Sequence, residues 1–309
     1  MIRDVVRAFG GEGELSERQG AALVASAGVV FSITAIVLRA VDEATDWQVL
    51  TYRGASTALA MAGLIWLRRN GRPVRLRSTT WRTVLAGVVL AATSMLYVLA
   101  LSRTSAATTL FLLAAAPIYA AIIGWLVLGE RVPRATKIGI GITGVGIILM
   151  VGTGLDAGSG VGVLLAAIIP VTIGLYNVIL RSDGGADPVV PALVAGLALA
   201  VVSGVVALAL DGLAVSLRDG FLACLTGGVA LGIGLPLFNL GHQSVAAAKV
   251  SLLLMTEVVL APLWVWIWPG ETPALGTLIG GVIVLATVAW LVTRAADEPD
   301  VVDETLLVS

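Results

Sequence analysis

Two short stretches, WLVLGE at 125–130 and WIWPGE at 266–271, decide how this chain is read. Each closes a long apolar run, and each ends in Gly-Glu. Glu271 lies 141 positions after Glu130. That one shift also aligns Tyr97 with Phe238, Ala106-Ala107 with Ala247-Ala248, and Leu112-Leu113 with Leu253-Leu254. It further pairs Trp125 with Trp266, Thr136 with Thr277, and Ile138-Gly139 with Ile279-Gly280, while Val37-Leu38-Arg39 matches Ile179-Leu180-Arg181 at a shift of 142. Apolar helices share Leu and Ala by chance. A Gly-Glu exit in register with Trp and Ile-Gly points instead to a duplicated unit.

The runs around these stretches are too apolar for a water-soluble particle. Of 309 residues, 58% are hydrophobic and 13% charged, whereas soluble domains carry about a quarter charged residues. Taking about 20 apolar residues per crossing, spans are expected at 20–41, 46–67, 81–102, 104–128, 136–153, 160–181, 188–210, 220–241, 246–268 and 274–293. The fold class is therefore all-α and integral to a membrane, with about ten transmembrane helices. The segment before residue 20 carries mixed charge, and the first apolar run is long enough for a span rather than a leader. Residues 295–309 form an acidic tail.

Charge placement gives direction. Arg68, Arg69, Arg72, Arg75, Arg77 and Arg82 follow the second span, and Arg131, Arg134 and Lys137 follow the fourth. Between the first two spans lie Asp42, Glu43 and Asp46, with Arg39 at the edge. Arginine-rich loops belong in the cytoplasm, and an even number of spans then leaves both termini there. Trp47, Trp66, Trp81, Trp125, Trp268 and Trp290 sit near span ends, where interfacial rings belong.

The units divide as a cytoplasmic tail at 1–19, a five-helix repeat at 20–153, a second at 160–294 and a cytoplasmic tail at 295–309. Five is odd, so the second repeat enters from the opposite side. Such inverted repeats characterise secondary transporters, whose site lies near the midplane between the halves.

Tyr97–Leu101, the span containing Pro117, the exit Leu128-Gly129-Glu130 and the Gly-rich helix Ile138–Gly152 resemble one EamA-type repeat, echoed from Phe238 to Thr293. Over roughly residues 20–294 the chain resembles the drug/metabolite transporter superfamily. The resemblance implies a ten-helix carrier of the cell inner (plasma) membrane. Its cavity would be built mainly from spans 1, 3, 4, 6, 8 and 9, and its nearest likeness is to bacterial exporters of amino acids, including aromatic ones. One departure is visible: many relatives have Glu-Pro in span 9, and this chain has Glu257-Val258 with proline at Pro262.

Polar side chains inside spans should face the bundle or a wet cavity. Candidates for a substrate cavity are Thr93 and Tyr97, Thr108 beside Ser105 and Thr109, Tyr176 and Asn177, and Lys249. Asn239, His242 and Gln243, at i, i+3 and i+4, share one helix face. For each, interhelical hydrogen bonding is the competing account, and for Lys249 snorkelling to the interface is another. Glu257 is the coupling candidate, through a proton or a solute amine, against a structural carboxyl. Arg53, within reach of Asp46 or Glu43 for pairing, is expected to have a structural or orienting role. Pro117, Pro170, Pro236 and Pro262 are hinge candidates because each removes a helix hydrogen bond. Gly228, Gly232 and Gly234 make span 8 the bent one, whereas Gly139, Gly141, Gly144 and Gly146 suit close packing.

Enzyme chemistry finds no foothold: there is no HExxH motif, phosphate loop or Ser-His-Asp set, and His242 is the one histidine. One cysteine, Cys224, makes neither disulfide nor cluster. No cofactor or metal is expected. The partners are a small-molecule substrate, the lipid bilayer and protons, with no nucleic acid. The alternatives to amino-acid export are a sugar-phosphate or nucleotide-sugar exchanger of the same fold, and a channel or scaffold.

Overall fold

The computed structural model describes residues 15–68, 80–129, 132–156, 160–182, 189–242, 244–245, 247–268 and 270–297. Among them run twelve α-helices and one π-turn. They are α1 Glu17–Arg39, α2 Asp46–Arg68, α3 Trp81–Leu101, α4 Ala106–Leu113, α5 Ala116–Leu128 and α6 Arg134–Asp156. There follow α7 Gly160–Ser182, α8 Val189–Leu210, α9 Leu217–Cys224, the π-turn Leu225–Val229, α10 Ala230–His242, α11 Ala247–Ile267 and α12 Leu275–Asp297.

Local chemistry starts and stops these helices. Ser16 accepts from the Gln19 N–H and its own N–H donates to Gln19 Oε1, a capping box opening α1. Thr80, Ser105 and Ser216 cap α3, α4 and α9 through the N–H groups of Thr83, Thr108 and Asp219. Gly129 and Gly270, at φ 69° and 71°, turn left-handed where the two Gly-Glu signatures sit. The expected single span at 104–128 is broken at Ala114–Ala115, and Pro117 sits in the first turn of α5, where a missing N–H costs least. The expected span at 220–241 begins earlier, at Leu217, and carries the π-turn.

Eight helices or helix pairs are long and apolar enough to cross a bilayer. Of the ten expected spans, the second falls short on composition. Helix α2 holds Arg53 among several Ser and Thr, whereas α11 runs over the 21 residues Ala247–Ile267. Large apolar side chains point outward, Leu59 at 74% and Ile148 at 71% exposure among them. Trp66, Trp81, Trp125 and Trp268 are exposed near helix ends. That is the surface of a chain whose solvent is hydrocarbon.

The packing repeats when the first five spans are exchanged with the last five. Helix α1 packs on α11 as α7 packs on α4 and α5, and α1 packs on α10 as α7 packs on α3. Helix α2 lies against α8, and α6 against α12. Small residues permit these approaches, since lipid supplies no hydrophobic drive between helices. A Cβ on Gly196 would lie 2.6 Å from the Ala58 nitrogen, and one on Gly54 2.5 Å from the Ala200 nitrogen. Gly146 meets Gly280 on α12, and Gly139 meets Leu291, whereas Gly141 and Gly144 face open space.

The two glycine turns leave at opposite ends. Gly129 ends the span that starts at Ala106, and Glu271, just past Gly270, accepts a hydrogen bond from the Ala106 N–H at 2.7 Å. Glu130 lies outside the described residues.

Candidate functional site

Arg53 is the residue around which the interior is arranged. It lies on α2 at 6% exposure, next to the Gly54 contact with α8. Its Nε donates to Ser94 Oγ on α3 at 3.0 Å, and its Nη1 to the Thr226 carbonyl of the π-turn at 3.0 Å. The π-turn reaches α2 because residue 227 is glycine: a Cβ there would stand 2.1 Å from the Arg53 carbonyl oxygen. π-turns recur at functional sites because they offset carbonyls from the regular ladder. Two nitrogens are thereby pinned, and Nη2 makes no bond to the described residues.

Arg53 lines a cavity of about 240 Å³ with Glu257 of α11. Thr34, Thr57, Thr93, Ser94 and Tyr97 add polar groups, and the rest of the wall is apolar, including Phe31, Leu113, Ile169 and Leu199. Tyr97 is 8% exposed. The Thr93 hydroxyl lies 2.8 Å from the Val89 carbonyl and 2.8 Å from the Thr172 hydroxyl of α7. Among the described residues Glu257 forms neither ion pair nor hydrogen bond, with Arg53 or with any other group. Cation and carboxylate thus face one space without meeting.

Arg53 is a correction to the sequence reading. Asp46 goes instead to Arg103 Nη1 at 2.8 Å and Ser102 Oγ at 3.0 Å. The Glu43 backbone N–H donates to Asp219. Helix α2 carries Arg53 about two turns inward from Asp46, so the guanidinium finds α3 and the π-turn first.

Of the other expected residues, Thr93, Tyr97 and Glu257 come together at the cavity. Thr108 is buried elsewhere, against Ser105 and Thr277 of α12. Tyr176 is half-buried and Asn177 exposed, and neither lines the cavity. Gln243 and the side chains of Asn239, His242 and Lys249 lie outside the described residues. Pro170, Pro236 and Pro262 sit inside α7, α10 and α11. Arg53, Ser94 and Thr226 were not among the expected site residues. The signals were an arginine inside an apolar run and the Gly227-Gly228 pair.

Polar ties close the end that carries Glu271. Arg39 Nη2 meets Glu271 Oε2 at 3.0 Å and donates to the Thr104 carbonyl at 2.7 Å. Asp219 accepts from the N–H groups of Asp42, Glu43 and Ala44. Gln48 donates to the Gly212 and Ala214 carbonyls, Tyr52 to Leu213, and Arg218 pairs with Asp42. At the opposite end Arg82 donates to the Ser182 carbonyl, and α1 packs through Gly20 on Gly241.

A bundle with an apolar exterior and an ion-lined interior cavity is built as membrane transport proteins are. Residues 18–152 match the EamA-like transporter family. A solved crystal structure 20% identical in sequence superposes with a TM-score of 0.63, covering 90% of this chain and 99% of its own. That likeness is one of fold. No curated protein matches the chain.

Proposed function

We propose that the protein is a secondary transporter that exports small zwitterionic metabolites, foremost amino acids including large neutral and aromatic ones. The observation that carries this reading is the placement of Arg53 and Glu257, which has no partner among the described residues, on one largely apolar cavity. A solute carboxylate completes Arg53, its ammonium completes Glu257, and its side chain lies on the apolar wall. Charges out of water need partners, and a zwitterion supplies both at once. The exchange symmetry of the packing supports two halves, 20–153 and 160–294, that rock around this cavity in alternating access. Arginine-rich loops support a cytoplasmic location for the Gly129 end and for both termini, with the chain in the cell inner membrane. The Glu271 end then faces outward.

A sugar phosphate or nucleotide sugar fits less well. Its multiple negative charge calls for several cations, and here one arginine is offset by Glu257.

Counterflow in proteoliposomes tests the reading. Vesicles preloaded with L-phenylalanine should accumulate labelled L-phenylalanine. Phenylpropionate and phenethylamine, each lacking one charge, should compete about tenfold less well, since each loses a charge-assisted bond of about 1.5–3 kcal/mol. Equal competition by either, or competition by sugar phosphates instead, sinks the zwitterion assignment.

A further inference from the structure

A second cavity, of about 220 Å³, lies between the central one and the Glu271 end. It is built on three of the helices that wall the central one. Thr34, Ser94 and Arg53 of the central wall stand four residues from Leu38, Val98 and Val49 of the second, which is one helical turn on α1, α3 and α2. Its charged groups are again one cation and one carboxylate, Arg39 and Asp46.

Both retain bonding capacity. Asp46 receives Arg103 and Ser102 through Oδ2 alone. Arg39 uses Nη2 for Glu271 and the Thr104 carbonyl. Its Nε is buried with no hydrogen-bond partner, one of two such side-chain atoms among the described residues. Native structures rarely leave a buried donor without an acceptor, so the Arg39 Nε calls for an explanation.

Resting on the amino-acid reading of the central cavity, we propose that this outer cavity is a second binding subsite for the same zwitterion, a station on the way out. The solute carboxylate takes Arg39 and its ammonium takes the free oxygen of Asp46. Arg39 also holds Glu271, whose other oxygen accepts from the Ala106 N–H. A carboxylate on Arg39 therefore competes with Glu271 and loosens the tie between α1, α4 and the turn before α12. Solute arriving at the outer cavity weakens the closure that retains it.

Cysteine protection tests this. Cys224 is first replaced by serine, and counterflow of L-phenylalanine is verified in that carrier. Ala44→Cys, with Val41→Cys as a second reporter, then places a thiol on the outer cavity. Saturating L-phenylalanine should slow modification by a membrane-impermeant methanethiosulfonate at least threefold. The protection should persist when Arg53→Gln disables the central site, and vanish with Asp46→Asn. Unchanged modification rates at both reporters in a carrier that shows counterflow overturn the subsite. So does protection that disappears with Arg53→Gln, because it then reports the central cavity. Absence of counterflow in the Cys224→Ser carrier overturns the amino-acid reading itself.

Discussion

Arg53 and Glu257 lie 204 positions apart in sequence and line one cavity. Arg53 is held by Ser94 and Thr226, so its position does not depend on the solute. Arg53→Gln should raise the KM for amino-acid counterflow at least about tenfold, from loss of a charge-assisted pair. Arg53→Lys should recover only part, because an ammonium cannot hold Ser94, Thr226 and a carboxylate together as the guanidinium fork does. Glu257→Gln tests the other pole. A charged carboxylate holds an ammonium and a protonated one does not, so solute affinity should weaken as pH falls. Arg53 and Tyr97 are the titratable groups that share the cavity wall with Glu257. Glutamine cannot titrate, so the variant should transport weakly and with a flat pH profile; a retained profile assigns the pH response to another group. The sequence marked Glu257 and Tyr97 because ionisable and polar groups inside spans are costly and need a reason. It offered Arg53 the wrong partners, because its nearest acids in the chain were Asp46 and Glu43. Folding brought Arg103 to Asp46 and Asp219 to the Glu43 backbone, and neither pairing has a local signal.

At the scale of elements, α2 and α8 cross glycine on glycine, and the π-turn rests on α2 through Gly227. These contacts fix the depth of Arg53. Gly196→Leu drives a Cβ toward the Ala58 nitrogen, where backbone cannot yield cheaply. Overpacking of this kind costs about 1–3 kcal/mol. The thermal midpoint of the detergent-solubilised carrier should fall well below that of Gly63→Leu, where an added Cβ meets nothing within 4 Å. Equal midpoints would mean that the helices slide apart freely. The helix exits at Gly129 and Gly270 and a disturbed span at Pro117 are local chemistry and were legible in advance. The π-turn was legible only as bend-prone glycine in span 8, because its register is set by what Arg53 and Ser56 require across the interface.

The whole molecule is closed at one end by ties between segments of the two halves: Arg39 with Glu271, Asp219 with the 42–44 backbone, Arg218 with Asp42. If transport proceeds by parting this end, a covalent tie there must stop it. Asp42→Cys with Arg218→Cys, in the Cys224→Ser background, should form a disulfide on mild oxidation. Counterflow should then be lost and return on reduction. Full flux in the oxidised carrier would show that this face does not part. The same ties show how the sequence and the fold divide the determination. The all-α, membrane-spanning class follows from hydropathy, which accumulates along the chain and needs no knowledge of contacts. The cavity is different. Its wall draws single residues from helices hundreds of positions apart, and their convergence depends on which glycines let which helices approach. Hydropathy registers that a residue is inside a span but not which neighbour it meets, so only the tertiary structure could join Arg53 to Glu257.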